Sequence, residues 1–453
     1  MINKNEIISK LKESSSTHVK VAVTDIDGVL RGKFMHRDKF ISALDSEFGF
    51  CSVVFGWDVN DQVYDNVEIT GWHTGYGDFP ARIDGNTFRL IPWQEDIPFF
   101  LADFDAPISG DQNVCPRALL KNIISQSEAA GYKPVFSQEF EWFNFVKANN
   151  GSSISVFKDM IPITSGMFGY SILRMSDNYG FFQDLLAMLE KFGVPLEGLH
   201  TETGPGVLEA AIQCSDALEA ADRATLFKSA VKEIGKKHNI TASFMAKQTK
   251  ELPGCSGHVH QSLWDLNKDK NLFYDKDDQL GMSPLMKHFL AGQLYCLPDI
   301  LPLFAPTVNS YKRLTEGAWA PTTLTWGIDN RTTALRVIEG GAKATRIEHR
   351  VVGSDVNPYL AIAACLASGL YGIKHKLSLD NVHTVGNGYR DLQYGSLPRN
   401  LFEATTRMAQ SEVASQLFGK KFVDHFCKSR IWEWRQFSEQ VTDWETKRYF
   451  EII

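Results

Sequence analysis

The chain has 453 residues, 43% of them hydrophobic and 22% charged, and a formal net charge of -7 at pH 7. This length allows two to four domains with a large buried core, and the small net charge argues against nucleic acid or an anionic membrane as partner. No apolar run approaches the roughly 18 residues that cross a bilayer, residues 1–6 lack a signal-peptide layout, and the seven cysteines form no C-x-x-C pair, so we expect a cytoplasmic protein with reduced thiols.

The first part of the chain predicts a small β-rich domain over residues 1–112. An amphipathic helix is expected at 4–13, and two strands at 19–24 and 29–34 flank Asp27-Gly28, which is a hairpin turn signal. Further strands are expected at 51–57, 87–92 and 99–104, with a loop rich in glycine and aspartate at 71–85.

From Pro116 onward, strand and helix patterns alternate, which predicts a larger α/β or α+β domain over residues 113–453. The helical patterns cover 117–130, 181–192, 216–238, 283–296, 358–375, 400–417 and 432–449. The strand patterns cover 135–146, 206–213, 241–246, 256–264 and 332–338. Because these strands carry many polar side chains, we expect the sheet to be mostly antiparallel.

Charged residues at strand spacing are the strongest sign of chemistry in the chain. Glu139 and Glu141 are two residues apart and would point to one face of a strand, as would His258, His260 and Ser262. Residues 345–350 alternate charged and apolar or imidazole side chains in the same way. Carboxylates and imidazoles together bind divalent cations, and arginines beside them bind anionic oxygens. The pattern predicts an ATP-using enzyme with a metal–polyphosphate site and a carboxylate substrate.

Each motif also has a plainer interpretation when it is taken alone. A Glu-x-Glu pair is commonly a solvated strand face, the segment 200–209 could be a surface loop that ends in a strand, and a His-x-His pair is often structural. The four arginines between residues 331 and 350 could form a solvated basic face. Against this, aromatic residues surround the two glutamates, and buried carboxylates are costly without a cation or another partner.

Taken together, the motifs resemble the glutamine synthetase superfamily over nearly the whole chain, in the order and approximate spacing of that family. The resemblance is carried by Glu139-Phe140-Glu141, Glu202 to Glu209, residues 257–262, residues 309–314, Asn330-Arg331 with Arg336, residues 346–350, and residues 357–360. It implies the α+β fold class, with a β-grasp domain before a catalytic domain that has a curved sheet and a funnel-shaped site. It also implies a homo-oligomer, commonly a dodecamer of two stacked hexamers, with each site between neighbouring subunits.

The resemblance also assigns roles to individual positions. Glu141, Glu202 and Glu209 would hold one Mg²⁺ or Mn²⁺, and Glu139, His258 and Glu348 a second, with two or three ions per site. The positions that match ATP contacts are His260, Ser262, Arg331, Arg336, Lys343 and Arg346, and those that match L-glutamate contacts are Gly254, Arg313 and Arg350. Asp58, Arg331 and Arg350 match catalytic positions. In such a site ATP converts the γ-carboxylate into an acyl phosphate, which an amine then attacks.

The chain departs from the family at the entrance for the nitrogen substrate. Trp319 stands where glutamine synthetases have a glutamate that helps to form a negative pocket for ammonium, and Pro253 and Val207 replace an asparagine and a glutamine. Asp58 fills the family's other ammonium-site position. Because relatives with tryptophan at that position look like ligases for larger amines, we predict a γ-glutamyl-amine ligase with an amine pocket at Asp58 and Trp319. Glutamine synthetase proper, using ammonia, is the main alternative, and a non-catalytic relative is a remote one.

Overall fold

The computed structural model describes residues 4–104, 114–147, 160–379 and 382–453. Within these ranges the helices are α1 (Lys4–Glu13), α2 (Arg37–Ala43), α3 (Pro116–Ala129), α4 (Ile172–Asp177), α5 (Tyr179–Lys191), α6 (Ala217–Lys237), α7 (Pro284–Ile300), α8 (Ser310–Arg313), α9 (Gly341–Ala344), α10 (Pro358–His375), α11 (Leu401–Gln410), α12 (Glu412–Phe418), α13 (Lys420–Ser438) and α14 (Asp443–Tyr449). Among the described residues, no helix combines the length and apolar character that crossing a membrane requires.

The strands of the same ranges form two sheets. They are β1 (His18–Thr24), β2 (Leu30–His36), β3 (Phe48–Cys51), β4 (Asp78–Ile83), β5 (Arg89–Ile91), β6 (Ile97–Asp103), β7 (Lys133–Lys147), β8 (Met160–Pro162), β9 (Leu196–Thr201), β10 (Val207–Ile212), β11 (Ser215–Asp216), β12 (Ile240–Ser243), β13 (Val259–Trp264), β14 (Trp326–Ile328), β15 (Leu335–Ile338) and β16 (Arg346–His349). The first sheet contains β1 to β6, and the second contains the other ten strands. The predicted α+β class is therefore confirmed.

The smaller sheet has the strand order β2-β1-β6-β4-β3, with β5 paired to β6. Strand β1 runs parallel to β6, and the other pairs are antiparallel. Because the side chains of a strand alternate between faces, Val19, Val21 and Val23 share one face. They are buried in one cluster with Ile7 of α1 and Phe40 of α2. The two short helices therefore cover that face of the sheet.

The larger sheet is organised around the long strand β7. Its path is β14-β15-β16-β13-β7-β10-β9, and β8, β11 and β12 also pair with β7. Strand β13 pairs with the first part of β7, β10 with its middle and β12 with its last part. All pairs are antiparallel except β14 with β15, which confirms the predicted mostly antiparallel sheet.

Helices α3, α6, α7 and α10 form the layer that packs against the larger sheet. The packing of α7 on α10 is unusually close, because a Cβ on Gly292 would collide with the backbone of Ser368 and Gly372. Much of α10 is buried, as its run of alanine and other apolar residues suggests. This layer holds the strands that carry the charged motifs in fixed positions.

A buried arginine joins the smaller sheet to the helical layer. The guanidinium of Arg117, which is 1% exposed, pairs with Asp84, Asp103 and Asp222. Asp84 and Asp103 belong to the smaller-sheet region, whereas Asp222 lies on α6. The three carboxylates surround this arginine only when the smaller sheet is docked on α6. Separating the two would leave a buried charge without its partners, which is costly. The two sheets are therefore fixed relative to each other.

Several predicted elements differ from the structure. Strand β4 lies inside the segment 71–85 that was predicted to be a loop, and 51–57 contains the end of β3 and a short 3₁₀ helix (Ser52–Phe55) instead of a strand. The single helix predicted at 400–417 is two helices that meet at Ser411. The helix predicted at 432–449 is wrong, because α13 ends at Ser438 and α14 begins at Asp443. The predicted boundary between residues 112 and 113 lies outside the described residues and stays a prediction.

Candidate active site

Strand β7 brings the first two carboxylates into the middle of the larger sheet. Glu141 lies directly opposite Glu209 of β10 in the antiparallel register. On the side of β13, the backbone N–H of Glu139 donates to the carbonyl of His258 (3.0 Å), and that of Glu141 donates to the carbonyl of Ser256 (2.9 Å). Because residues two apart in a strand share a face, both carboxylates point to the same side of the sheet.

Two glutamates and two histidines form the first cluster. His258 Nδ1 lies 2.9 Å from Oε1 of Glu139 and 3.2 Å from Oε1 of Glu348, and His260 Nε2 lies 3.2 Å from Oε2 of Glu139. Donor atoms of Glu139, His260 and Glu348 all lie within 4.8 Å of one another. The Nε of Arg346 donates to Nδ1 of His260 (3.2 Å), which leaves Nε2 as the donor to Glu139. The cluster has the geometry of a cation site.

The charges in this cluster keep its carboxylates ionised despite their burial. Burial alone would raise the pKa of Glu348, but Arg350, His258 and His260 outweigh it and lower the pKa to about 2. The same balance, with His260 and His258 as partners, holds the pKa of Glu139 well below its ordinary value. Burial and the charge of Arg350 lower the pKa of His258 to about 4. At neutral pH the cluster therefore offers carboxylates and a neutral imidazole, which are the forms that bind metals.

An arginine frame surrounds Glu348, which is 1% exposed. Arg350 donates from one terminal nitrogen to Oε1 of Glu348 (2.6 Å), and Arg336 donates to Oε2 (2.9 Å). Arg350 also donates from Nε to the carbonyl of Arg331 (3.1 Å) and from its other terminal nitrogen to the carbonyl of Trp319 (3.3 Å). A guanidinium has five N–H donors, so two N–H groups of Arg350 have no partner in the part of the chain that the structure describes and are available to an anionic ligand.

A second cluster lies across β10 and β9. Nε2 of His200 is 3.7 Å from Glu209, Nδ1 is 3.9 Å from Glu202, and donor atoms of the three residues lie within 4.8 Å of one another. Burial and the charge of Glu209 raise the pKa of Glu141 to about 7. Oε2 of Glu202 is buried without a hydrogen-bond partner among the described residues. Adjacent carboxylates of this kind are stabilised when a cation lies between them.

A cavity of about 410 Å³ opens beside both clusters, and we call it the Trp319 cavity. Glu141, Glu202, His258 and Arg350 line it, together with the predicted glutamate-site residues Gly254 and Arg313 and the indole of Trp319. Trp319 is 64% exposed and has a left-handed backbone (φ 57°). This conformation is uncommon for a large residue, and it accompanies the carbonyl contact to Arg350.

Gly254 and Arg313 lie close together at the floor of this cavity. A Cβ on Gly254 would come within 2.6 Å of Cγ of Arg313 and 2.8 Å of the carbonyl of Ala246, so only glycine fits without a shift of the backbone. The guanidinium of Arg313 is buried and donates to the carbonyls of Val351 (2.9 Å) and Arg350 (3.0 Å). Arg313 therefore braces the segment that carries Arg350, and it also lines the cavity itself.

A second cavity, of about 320 Å³, contains most of the predicted ATP positions, and we call it the Ser262 cavity. Ser262, His260, Lys343 and Arg346 line it with Glu139. Arg336 and Arg331 are not among its lining residues: Arg336 lies between Glu348 and Asp329, and the side chain of Arg331 is exposed. Because Glu139 lines this cavity and its hydrogen-bond partner His258 lines the Trp319 cavity, the two cavities meet at the first cluster.

Asp58 is the predicted residue that the structure places apart from the clusters. Its Oδ1 accepts hydrogen bonds from the backbone N–H groups of Asn60 (2.8 Å) and Gln62 (3.0 Å), and its Oδ2 accepts one from the indole of Trp432 (2.9 Å). These contacts lie at the junction of the small-sheet region with α13.

Sequence reasoning missed three residues of the site. Glu197 lines the Ser262 cavity, His200 belongs to the second cluster, and Tyr170 stacks on the His200 ring with centroids 4.3 Å apart. Counting strand pairs back from the Gly-Pro-Gly turn at 204–206 would have placed His200 opposite Glu209, as the register shows. No local signal identifies Tyr170, which has a left-handed backbone (φ 56°) just before α4.

Comparisons with known proteins agree with this geometry. The family profile described as "Glutamine synthetase, catalytic domain" matches residues 113–449. The chain is 54% identical to type-1 glutamine synthetase 2 of Dictyostelium discoideum, over 99% of this chain and 86% of that protein. It is 36% identical to a glutamate–isopropylamine ligase of a Pseudomonas species, over 100% of this chain and 99% of that protein. It also resembles a solved GmaS/ADP complex, with a TM-score of 0.83 and 26% identity over 99% of this chain and 100% of that one.

Proposed function

The chain belongs to the glutamine synthetase family, and we propose that it uses ATP to join the γ-carboxylate of L-glutamate to an organic amine through a γ-glutamyl phosphate. Catalysis of this kind needs an anion-binding frame, a cation site and an entrance for the nitrogen nucleophile. The observation that carries the choice of an organic amine is the exposed indole of Trp319 in the cavity that contains Arg350.

The two clusters fit a pair of divalent cations. For the first cation we infer Glu139, His258 and Glu348 as ligands, since Nδ1 of His258 lies 2.9 and 3.2 Å from the two carboxylates; His260 lies within the same group of donor atoms. For the second we infer Glu141, Glu202 and Glu209, with His200 grouped with the last two and Glu141 opposite Glu209. Oε2 of Glu202 and Nε2 of His258 are buried without hydrogen-bond partners among the described residues. When bound, Mg²⁺ or Mn²⁺ would neutralise the charge that accumulates on the phosphates during transfer.

The residues of the chain would position the two anionic substrates on either side of the first cluster. ATP would enter the Ser262 cavity, where Lys343, Arg346 and His260 supply positive charge or N–H donors. Glutamate would lie in the Trp319 cavity, with Arg350 turned towards its γ-carboxylate. The two remaining N–H groups of Arg350 can hold a carboxylate or acyl phosphate. Hydrogen bonds to the side chain of Glu348 and to the backbone carbonyls of Arg331 and Trp319 fix the guanidinium in place.

Trp319 supports an organic acceptor for two physical reasons. It supplies an apolar and aromatic face where the family has a carboxylate, so an ammonium ion loses a charged partner there while an apolar substituent gains about 1.5–3 kcal/mol by leaving water. Glu316, three residues earlier, is the acid in that segment that could replace the missing charge. Glu316 also lines the Trp319 cavity, but its carboxylate is 60% exposed and lies 3.6 Å from Nε of Arg390, so solvent and the arginine offset its charge.

An amine panel tests this proposal directly. We expect the wild type to release phosphate and form γ-glutamyl amides faster with alkyl or aromatic amines than with ammonia, in terms of kcat/KM. Trp319→Glu should move the preference towards ammonia, whereas the control Trp319→Phe, which keeps an apolar ring, should retain it. Mass spectrometry of the products identifies the amide formed.

Glutamine synthesis from ammonia is the second candidate function, and the name of the Dictyostelium relative at 54% identity favours it. It predicts that ammonia surpasses every organic amine in kcat/KM and that Trp319→Glu changes little. A non-catalytic relative predicts no phosphate release with any acceptor. The division at residue 112, the assembly of two stacked hexamers and the cytoplasmic location stay predictions.

A further inference from the structure

The Trp319 cavity has a charged part and an apolar part. The charged part contains the carboxylates of Glu141 and Glu202 and the guanidinium of Arg350. The apolar part is lined by residues that carry no charge and are largely hydrocarbon or aromatic: Met167, Val207, Leu252, Pro253, Ala318 and Trp319. Sites for small molecules commonly combine apolar walls with a few charged groups that fix the orientation of the ligand. The proposed function gives a role to Trp319 in this apolar part but none to Met167.

A segment anchored at both ends presents Met167 to the cavity, and we call residues 164–171 the Met167 segment. Near its start, Oγ1 of Thr164 accepts a hydrogen bond from the N–H of Gly206 (2.9 Å). Near its end, the N–H of Tyr170 donates to the carbonyl of Thr201 (2.7 Å). Both partners belong to the hairpin of β9 and β10, which carries the second cluster. The Met167 segment is therefore fixed to the same hairpin as the second cluster.

The side chain of Met167 does not contribute to the core. It is 51% exposed and belongs to none of the buried apolar clusters that the described residues form. Trp319, which lines the same cavity, is also largely exposed. Single apolar side chains on a protein surface are common, but two on the wall of one cavity provide apolar area that a ligand can cover. Covering this area removes it from water, which favours a ligand with an apolar substituent.

We propose that Met167 is a specificity-determining residue for the acceptor amine, and that its side chain and the indole of Trp319 both contact the apolar substituent of that amine. The inference rests on the proposed function, in which the amine enters the Trp319 cavity. The carbonyl of Trp319 accepts a hydrogen bond from Arg350 (3.3 Å), whereas Met167 is fixed to the hairpin of β9 and β10. The substituent therefore contacts side chains from two separate parts of the chain. Because methionine is unbranched and flexible, it can adapt to substituents of different length.

A series of linear amines from methylamine to butylamine tests the inference, because each methylene group that leaves water adds a similar amount to binding. We expect kcat/KM of the wild type to rise about twofold to fourfold with each added methylene group. Met167→Ala should flatten this dependence, with a loss of about twofold for methylamine and about tenfold for butylamine. Met167→Leu, which keeps an apolar side chain of similar volume, should retain most of the wild-type dependence.

Phe168→Ala is the matched control, since Phe168 is the next residue of the same segment and is 59% exposed. The guanidinium of Arg174 lies over its ring, 5.5 Å from the centroid, and Phe168 is not among the described residues that line the Trp319 cavity. We expect Phe168→Ala to keep the wild-type dependence on chain length. In all three variants the KM values for ATP and glutamate should stay within about twofold of wild type, and thermal unfolding checks that each variant is folded.

The dependence on chain length separates specificity from a structural role. Equal losses for all amines in Met167→Ala, an unchanged dependence in that variant, or the same flattening in Phe168→Ala would each overturn the inference. Any of these results would leave the proposed function intact if the wild type prefers amines to ammonia. A wild type that uses ammonia better than every amine would instead overturn the proposed function and the inference together.

Discussion

Arg350→Lys should impair catalysis far more than exchanges between basic residues usually do. The guanidinium of Arg350 is enclosed and makes three hydrogen bonds, to Glu348 and to the carbonyls of Arg331 and Trp319. A lysine ammonium has three donors at a single point and no planar fork, so it cannot reach all three acceptors and a substrate oxygen together. We expect it to keep the ion pair with Glu348 and lose the rest.

The size of the effect follows from these contacts. Losing one hydrogen bond to a charged substrate group costs about 1.5–3 kcal/mol, and losing a donor aimed at charge that develops in the transition state costs about 2.7–4 kcal/mol. Partial compensation by water brings the expected total to about 2–4 kcal/mol, which corresponds to a loss of roughly 30-fold to 1000-fold in kcat/KM. The assay is phosphate release with saturating ATP and varied glutamate, in the presence of the preferred amine.

Arg390→Lys is the matched control, since Arg390 is an exposed arginine that contacts Glu316 in the same segment as Trp319. It should keep at least half of the wild-type rate. A loss smaller than about threefold in a folded Arg350→Lys protein would refute the reasoning, because it would mean that Arg350 does not face the reacting carboxylate.

Three further predictions concern the metal clusters, a buried lysine and the assembly. Glu139→Gln should weaken Mn²⁺ binding by about 10-fold to 100-fold in calorimetry and lower turnover accordingly, and excess chelator should stop the wild type; unchanged binding would contradict the two-cation site. Burial lowers the pKa of Lys228 to about 7, so the unfolded chain binds more protons between pH 7 and its ordinary pKa near 10.5, and stability rises with pH in that window. The free energy of unfolding in urea should therefore increase by up to about 2–3 kcal/mol from pH 7 to pH 9 in the wild type, relative to the change in Lys228→Met. A decrease over this range would contradict the lowered pKa of Lys228. Because the resemblance implies that each site lies between neighbouring subunits, mixing Asp58→Ala subunits with Glu139→Gln subunits should restore some turnover in hybrid oligomers. No recovery in oligomers shown to be mixed would place each site within one chain.

Motifs with a local period were predictable from the sequence. The alternation of strand faces placed Glu139 beside Glu141, and His258 near His260, as the structure shows. Helix α10 was predicted with its observed bounds, because Asn357 is a good N-cap and proline fits the first turn. These features depend on a few neighbouring residues, so short-range physics determines them.

Features that depend on distant residues were not predictable in the same way. The stacking of Tyr170 on His200 depends on the left-handed backbone of Tyr170 and on its position beside β9, which carries His200. The local sequence signals neither of these features. The break between α13 and α14 does have a local signal, because Thr442 and Glu445 form a capping box at the start of α14. The helical pattern continues across this break, so the pattern alone predicted one helix. No local pattern indicates that Trp432 is the hydrogen-bond partner of Asp58, because the two residues are 374 positions apart.

The separation of the site residues along the chain has a consequence for biosynthesis. The carboxylate of Glu139 is translated about 200 residues before that of Glu348, and Asp58 is 374 residues from Trp432. At 5–20 residues per second, roughly 10–40 s pass between the first and last members of the first cluster. By then the strands that pair directly with β7, namely β10, β12 and β13, have been synthesised, so the sheet can form around β7 while its cation site still lacks Glu348. A chain truncated before residue 346 would not be rescued by metal or nucleotide, since the pairing of β16 with β13 that completes the cluster would be missing.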